Sequence, residues 1–288
     1  MEPIRLAVNG GTDIGQVRDE NEDSIRCHSD PDYPFAYVVI ADGMGGYSGG
    51  ATASTIAADT LQKQLNELLS STFLACSPQQ QQLMLRAAMV EAIGISNRLI
   101  LETKRTRPQF SQMGTTLVAA VIWQNFLIVA HIGDSRAYLW NNYGLQRLTR
   151  DHSVVQEMID CGQLTPEQAQ SSQVRNHITR ALGVAEQVEA TVNSWTLTES
   201  ALLLLCSDGL TEYLSDHTIE RVLATYRPAL ECVYHFIDDA NQCGGRDNIS
   251  AGIIEFCSRT DAVAEFSGET ITLKPKNKED ITVRKMQR

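Results

Sequence analysis

The chain is 288 residues long with 43% apolar content, enough for one large domain or two small ones around a substantial core. Its net charge of −11 excludes a general nucleic-acid or anionic-membrane surface. The charge is uneven: residues 1–257 hold 17 Lys and Arg against 30 Asp and Glu, whereas residues 258–288 hold 7 against 5. The N-terminus, Met1-Glu2-Pro3-Ile4-Arg5, lacks the apolar core of a signal peptide. The longest apolar runs, such as Leu117–Trp123, fall far short of a bilayer. Seven cysteines, odd in number and without a Cys-x-x-Cys pair, suit reduced thiols better than a disulfide framework or a zinc site. A cytoplasmic, soluble protein without membrane insertion is expected.

In chain order, strand-like segments lie at Ile4–Asn9, Phe35–Ala41, Thr115–Trp123, Phe126–Ile132, Arg136–Trp140, Leu145–Leu148, Ala201–Cys206 and Ile249–Phe256. Two helical patterns separate the early strands from the later ones. Ala53, Ala57, Leu61, Leu65 and Leu68 mark one buried face. Leu83, Ala87, Val90, Ile93, Asn97 and Ile100 mark another along Gln79–Lys104. Asn141-Asn142-Tyr143-Gly144 reads as a hairpin turn, and Thr165-Pro166-Glu167-Gln168 as a helix start with a capping box. Pro228 opens a helix through Leu230, Val233, Ile237 and Ala240 that Gly244-Gly245 ends. Strands grouped apart from paired helices predict a layered α+β domain rather than alternating βαβ units. The tail from Ser258 reads as either a disordered extension or a hairpin of Thr270–Leu273 with Ile281–Val283.

Two apolar runs end on Asp-Gly. Ala36–Ala41 leads into Asp42-Gly43, and Ala201–Cys206 leads through Ser207 into Asp208-Gly209. A carboxylate at the end of a strand buried on both faces sits at the rim of the core, where an unpaired charge is costly. Glycine beside it frees the backbone to turn. One such pair is an ordinary turn signal. Two of them, with further acidic motifs, suggest carboxylates gathered around a hard cation.

Those motifs are Arg18-Asp19-Glu20-Asn21-Glu22-Asp23, Gly133-Asp134-Ser135-Arg136 and Gly245-Arg246-Asp247-Asn248. With Asp42-Gly43-Met44-Gly45-Gly46 and Cys206-Ser207-Asp208-Gly209, their order resembles the metal-dependent protein phosphatase family, protein phosphatase 2C type, in its bacterial branch. Met113–Thr116, Leu148–Ser153 and Ile178–Gly183 fit the same pattern, and the resemblance covers roughly residues 3–257. It implies a four-layer β-sandwich flanked by antiparallel helix pairs (αββα), a phosphatase domain over 1–257 with a flap at about 151–180, and an extension over 258–288.

Acidic side chains with backbone carbonyl and water are hard oxygen ligands suited to Mg2+ or Mn2+. Glu22, Asp42, Asp208 and Asp247 brought together without cations would repel and raise one another's pKa. Carried over from the resemblance, Asp42 and the Gly43 carbonyl bridge two core ions. Asp208 and Asp247 complete one site and Glu22 the other, while Asp134 with Asp208 makes the place of a third. Asp23 orients bound water, and Arg18 binds phosphate through its fork of donors. The implied reaction is hydrolysis of phosphoserine and phosphothreonine in proteins by a metal-bridged water. The expected substrates are products of a serine/threonine kinase, and the expected state is a monomer. Many eukaryotic relatives carry a histidine where this chain has Met44, whose thioether cannot donate a proton.

Blander readings stand beside these. Gly133-Asp134-Ser135-Arg136 could be a turn held by an Asp134–Arg136 contact. His131 and His152 read as packing residues, and Cys206 as a buried small hydrophobe. Two rival functions are a phosphoprotein-binding module without turnover and a metal-dependent hydrolase of small phosphoesters or nucleotides.

Overall fold

The computed structural model describes residues 4–46 and 49–258. The β-prone fragments Thr270–Leu273 and Ile281–Val283 lie outside the described residues. Strands β1 (Arg5–Asp13), β2 (Asp23–Ser29) and β3 (Phe35–Met44) come first, followed by helices α1 (Gly49–Leu68), α2 (Ser71–Leu74) and α3 (Pro78–Thr106). Then come β4 (Gly114–Thr115), β5 (Leu117–Trp123), β6 (Phe126–Ile132), β7 (Arg136–Asn141) and β8 (Gly144–Arg147). Helices α4 (Val154–Asp160) and α5 (Pro166–Gln170) precede β9 (Thr191–Thr196) and β10 (Ala201–Cys206). Helices α6 (Asp208–Thr211), α7 (Asp216–Thr225) and α8 (Ala229–Gln242) lead to β11 (Ile249–Cys257).

Two antiparallel sheets result, with orders β1-β11-β10-β7-β8 and β2-β3-β5-β6-β9. Strand alternation assigns each face to a different core. Phe35, Tyr37 and Val39 of β3 pack outward against Ala57, Leu61 and Leu65 of α1 and Leu85 and Met89 of α3. Ala36, Val38 and Ile40 point the other way, onto Leu203, Leu205, Ile254 and Phe256 of the facing sheet. On the far side, Leu202 and Leu204 meet Val222 of α7 and Val233, Phe236 and Ile237 of α8. Helix pair, sheet, sheet and helix pair are therefore the four layers, and apolar runs buried on both faces are what this stack demands.

The two sheets approach closely at one place. Gly10 of β1 pairs with Gly252 of β11. A methyl on Gly10 would lie 2.5 Å from Cys27 Sγ, and one on Gly252 would lie 2.6 Å from Val38 Cγ1.

The buried face of α3 differs from the predicted stripe. Leu83 and Val90 are 68% and 50% exposed, and the residues turned inward are Gln81, Leu85, Met89, Ala92, Ile93, Ser96, Asn97 and Ile100. A polar side chain holds the first inward position: Gln81 accepts from Trp123 Nε1 at 2.9 Å and donates to the Phe73 carbonyl at 3.0 Å. Hydrogen bonding thus makes burial of the amide tolerable; the predicted stripe fails over Leu83, Ala87 and Val90 and holds at Ile93, Asn97 and Ile100. The single strand expected over Thr115–Trp123 breaks at Thr116, whose N–H donates to the Asp42 carbonyl at 2.8 Å. The hairpin turn, the Thr165 capping box and the end of α8 at Gly244-Gly245 follow the sequence reading.

Candidate active site

At the end of β3, Asp42 stands directly opposite Asp23 of β2 in the antiparallel ladder. Like charges so placed are destabilising without a counter-charge. Gly43 follows, its N–H donating to the Glu22 carbonyl at 3.2 Å. A side chain at Gly43 would collide with the backbone of Gly50 and Glu22, so only glycine permits this approach. Glu22 Oε1 accepts from the Gly50 amide at 3.1 Å, in the first turn of α1. The side chain of Ser54 donates to the Glu22 carbonyl at 2.6 Å.

The second Asp-Gly does not form a turn after its strand. Asp208 opens α6, and its carboxyl comes close enough to that of Asp42 for the two to interact directly. Ser207 and Ser250 join β10 to β11 through Ser207 N–H to the Ser250 carbonyl at 3.1 Å and Ser250 N–H to Ser207 Oγ at 2.9 Å. The Ser250 hydroxyl in turn donates to Asp23 Oδ2 at 2.6 Å. Arg18 pairs with Asp247 at 2.7 Å and lies in the fields of Glu22 and Asp42. Asn248 ties these segments together: Oδ1 accepts from Glu22 N–H at 2.7 Å, and Nδ2 donates to the carbonyls of Ile14 and Glu20 at 3.0 Å each.

Asp134 lies where the chain crosses from β6 in one sheet to β7 in the other. The sequence had left open a turn held by Asp134 and Arg136. Instead Arg136 turns to Asp151, donating to both carboxylate oxygens at 2.8 to 3.2 Å. Arg147 joins the same carboxylate. Residues 151–180 carry α4 and α5 along one side of a cleft of about 650 Å³, whose lining includes Asp134, Ser153, Ile159, Asp208, Glu212 and Arg246.

Burial and mutual repulsion raise the acidic groups together. Burial, then Asp208, pushes Asp134 up to about 8. Burial pushes Asp23 up to about 7 against the hydrogen bonds of Ser250 and Ser207. Asp208 rises to about 6 through burial and the Asp247 charge, and Asp42 is raised well above the ordinary carboxylate range by burial and Asp23. Among the described residues no three such groups close on one point as a finished ligand cage. The charges interact pairwise across the cluster. Its chemistry nonetheless fits hard divalent cations: the donors are all oxygens, Arg18 pairs with Asp247 alone among them, and the buried Asp23 Oδ1 has no hydrogen-bond partner.

The family profile described as Protein phosphatase 2C matches residues 11–247. The chain belongs to this family. The serine/threonine phosphatase stp of Listeria monocytogenes is 35% identical over 244 residues, covering 85% of this chain and 93% of that protein. The structure of the S. agalactiae serine/threonine phosphatase matches with a TM-score of 0.76 at 33% identity, covering 87% of this chain and 99% of the other. The catalytic domain of the serine/threonine protein phosphatase PstP, in complex with two manganese ions, matches with a TM-score of 0.75 at 31% identity over 88% of this chain and 100% of the other.

In this member of the family the sequence-predicted Asp23, Asp42, Asp134, Asp208 and Asp247 share one electrostatic cluster. Glu22, Gly43 and Arg18 adjoin it through the contacts above. Sequence reasoning missed Thr116, Ser207, Ser250 and Asn248, which hold the acidic residues in place. Ser207 and Asn248 each flank a singled-out aspartate, and that adjacency was the available signal.

Proposed function

We propose that this chain is a serine/threonine protein phosphatase using Mg2+ or Mn2+. Glu22, Asp42, the Gly43 carbonyl, Asp208 and Asp247 hold two core ions, and Asp134 with Asp208 offers the place of a third. One observation carries the reading: aspartates from segments far apart in the chain share a single buried field in a member of this family. When bound, the cations supply positive charge and lower the pKa of the attacking water.

The chain's own residues do the rest. Arg18, whose side chain is 51% exposed, presents its guanidinium to the phosphate oxygens. Asp23, fixed through Oδ2 by Ser250, orients water from behind Asp42. The protein contributes no nucleophile, because phosphoryl transfer rests on positioning and charge neutralisation. The Cys206 thiol is buried and pushed up to about 12, which removes it as an attacking group. Met44 has no proton to give, so the leaving alkoxide takes its proton from water. The substrates are proteins phosphorylated by serine/threonine kinases, and the enzyme acts as a cytoplasmic monomer. All seven cysteines are free, which supports a reducing compartment. No helix among the described residues is long and apolar enough to cross a membrane.

Phosphate release from a phosphothreonine peptide and from nucleotides, each with Mn2+ or with chelator, tests this reading. The expected result is peptide turnover only with metal. Faster release from nucleotides would support a small-phosphoester hydrolase, and peptide binding without release would support an interaction module.

A further inference from the structure

His152, read from sequence as a packing residue, makes contacts that packing does not require. Its backbone N–H donates to the Gly133 carbonyl at 2.9 Å, and Gly133 N–H donates back to His152 Nδ1 at 3.2 Å. One residue thus grips both backbone polar groups of Gly133, the residue before Asp134. Gly133 stands at φ +100°, with the Thr116 side chain where its own would be, so its conformation depends on such anchorage. Accepting at Nδ1 places the ring proton on Nε2, which meets Thr191 Oγ1 of β9 at 3.0 Å. The ring stacks on His131 at 4.6 Å and 14°, and His131 Nε2 meets the Arg150 carbonyl at 2.8 Å. Burial, then His131, Arg180 and Arg150, push His152 down to about 4 against Asp151. The ring therefore stays neutral and its acceptor available at neutral pH.

The same residue closes the base of the 151–180 segment. The His152 carbonyl accepts from Thr179 N–H at 2.8 Å, Ser153 bridges to Ile178, and Val154 N–H donates to the His177 carbonyl at 2.8 Å. We infer that His152 is a positioning residue that locks the Asp134 loop to the root of the flap, so that the two are placed together. The inference rests on the reading of Asp134 as an ion ligand. It assigns to the flap root a part in forming that site, beyond enclosing the cleft.

The test uses the full chain with His152→Asn and the milder Thr191→Val, which leaves the ring but removes its anchor. Three measurements are made: amide hydrogen exchange at Gly133, Asp134 and Thr179, calorimetric titration with Mn2+, and phosphatase rates with and without Asp134→Asn. Both variants should speed exchange at Gly133 and Thr179 together. They should weaken the weakest Mn2+ binding event by about tenfold while sparing the tighter two, the scale seen when an outer partner of a metal ligand is lost. In the Asp134→Asn background, His152→Asn should cost little more, because both act on one element. Fully additive losses, an unchanged weakest event or a wild-type titration without a third event would overturn the inference. So would faster exchange at Gly133 with Thr179 unaltered. If His152→Asn does not fold, Thr191→Val alone decides by the same readouts. Loss of the phosphatase reading would show as absent turnover in the wild type, whereas joint exchange of Gly133 and Thr179 is read without turnover.

Discussion

The two Asp-Gly ends look alike in sequence and are held differently. At Asp42 the strand runs on to Met44, and the backbone is pinned from both sides, by Asp23 across the ladder and by Thr116 N–H on the Asp42 carbonyl. At Asp208 the strand has already ended at Cys206, and the residue opens a four-residue helix whose Glu212 N–H takes the Asp208 carbonyl at 2.8 Å. Sheet geometry places the first carboxylate and a single helical turn, packed through Gly209 and Leu210, places the second. One sequence signal can therefore deliver carboxylates held by two different kinds of backbone.

Removing either carboxylate should have the largest effect. Asp42→Ala and Asp208→Ala should each lower kcat/KM by about a thousandfold or more without unfolding the chain, measured on a phosphothreonine peptide with Mn2+. Lengthening separates them: Asp42→Glu should remain near the alanine level, while Asp208→Glu should recover at least about tenfold because Asp208 stands outside the sheet ladder that fixes Asp42. Equal losses for the two glutamate variants would break the contrast.

Arg18 tests the Asp208 side, since it pairs with Asp247. Arg18→Ala should raise KM by roughly ten- to a hundredfold, the scale of lost charge-assisted hydrogen bonds, and lower kcat by less. A pure kcat loss in steady-state kinetics would place Arg18 in the chemical step.

Stability against pH comes next. Asp134, Asp208 and Asp23 are raised from 3.8 to between about 6 and about 8 in the folded state. A folded carboxyl that keeps its proton longer than the unfolded one contributes stability below the unfolded pKa, lost as pH rises through the folded value. In chelator, Tm should therefore fall by roughly 5 °C between pH 5.5 and 8, and less in Asp208→Asn. Added Mn2+ should remove most of that slope by binding the folded state. A Tm in chelator that rises over this range would contradict the raised carboxyls. Met44→Ala, at the last position of β3, should change kcat by less than about threefold, because a thioether offers neither proton nor ligand charge to the reaction. A large loss with unchanged Tm would assign Met44 a part in catalysis.

Both strand ends were legible because the apolar run ending near Asp-Gly occurs twice and in company with further acidic motifs. The strands missed were β2 and β9, the edges of their sheet. Their side chains include Arg26 and His28 in one and Asn193 and Ser194 in the other, so the apolar periodicity fades where one side meets solvent. Only the first half of the stripe on α3 was misread, because Gln81 is buried by its hydrogen bonds while Leu83 faces outward; Ile93, Asn97 and Ile100 are buried as read. At the site, charged residues announced themselves by motif. Thr116 and Asn248 stood inside those motifs and Ser250 outside them, yet none showed its role, because a neutral hydrogen-bonding side chain acquires its meaning only from partners distant in sequence.

Asp42 ends a strand of one sheet and Asp208 follows a strand of the other, so the gap between them depends on the spacing of the whole sandwich. Gly10 and Gly252, by omitting their side chains, act as the shims that set this spacing from inside the core. A wedge as small as one methyl there would push against Cys27 and Val38 and spread the two sheets like jaws. Catalytic geometry in this protein is thus partly a matter of interior thickness, adjustable by residues that never see the phosphate.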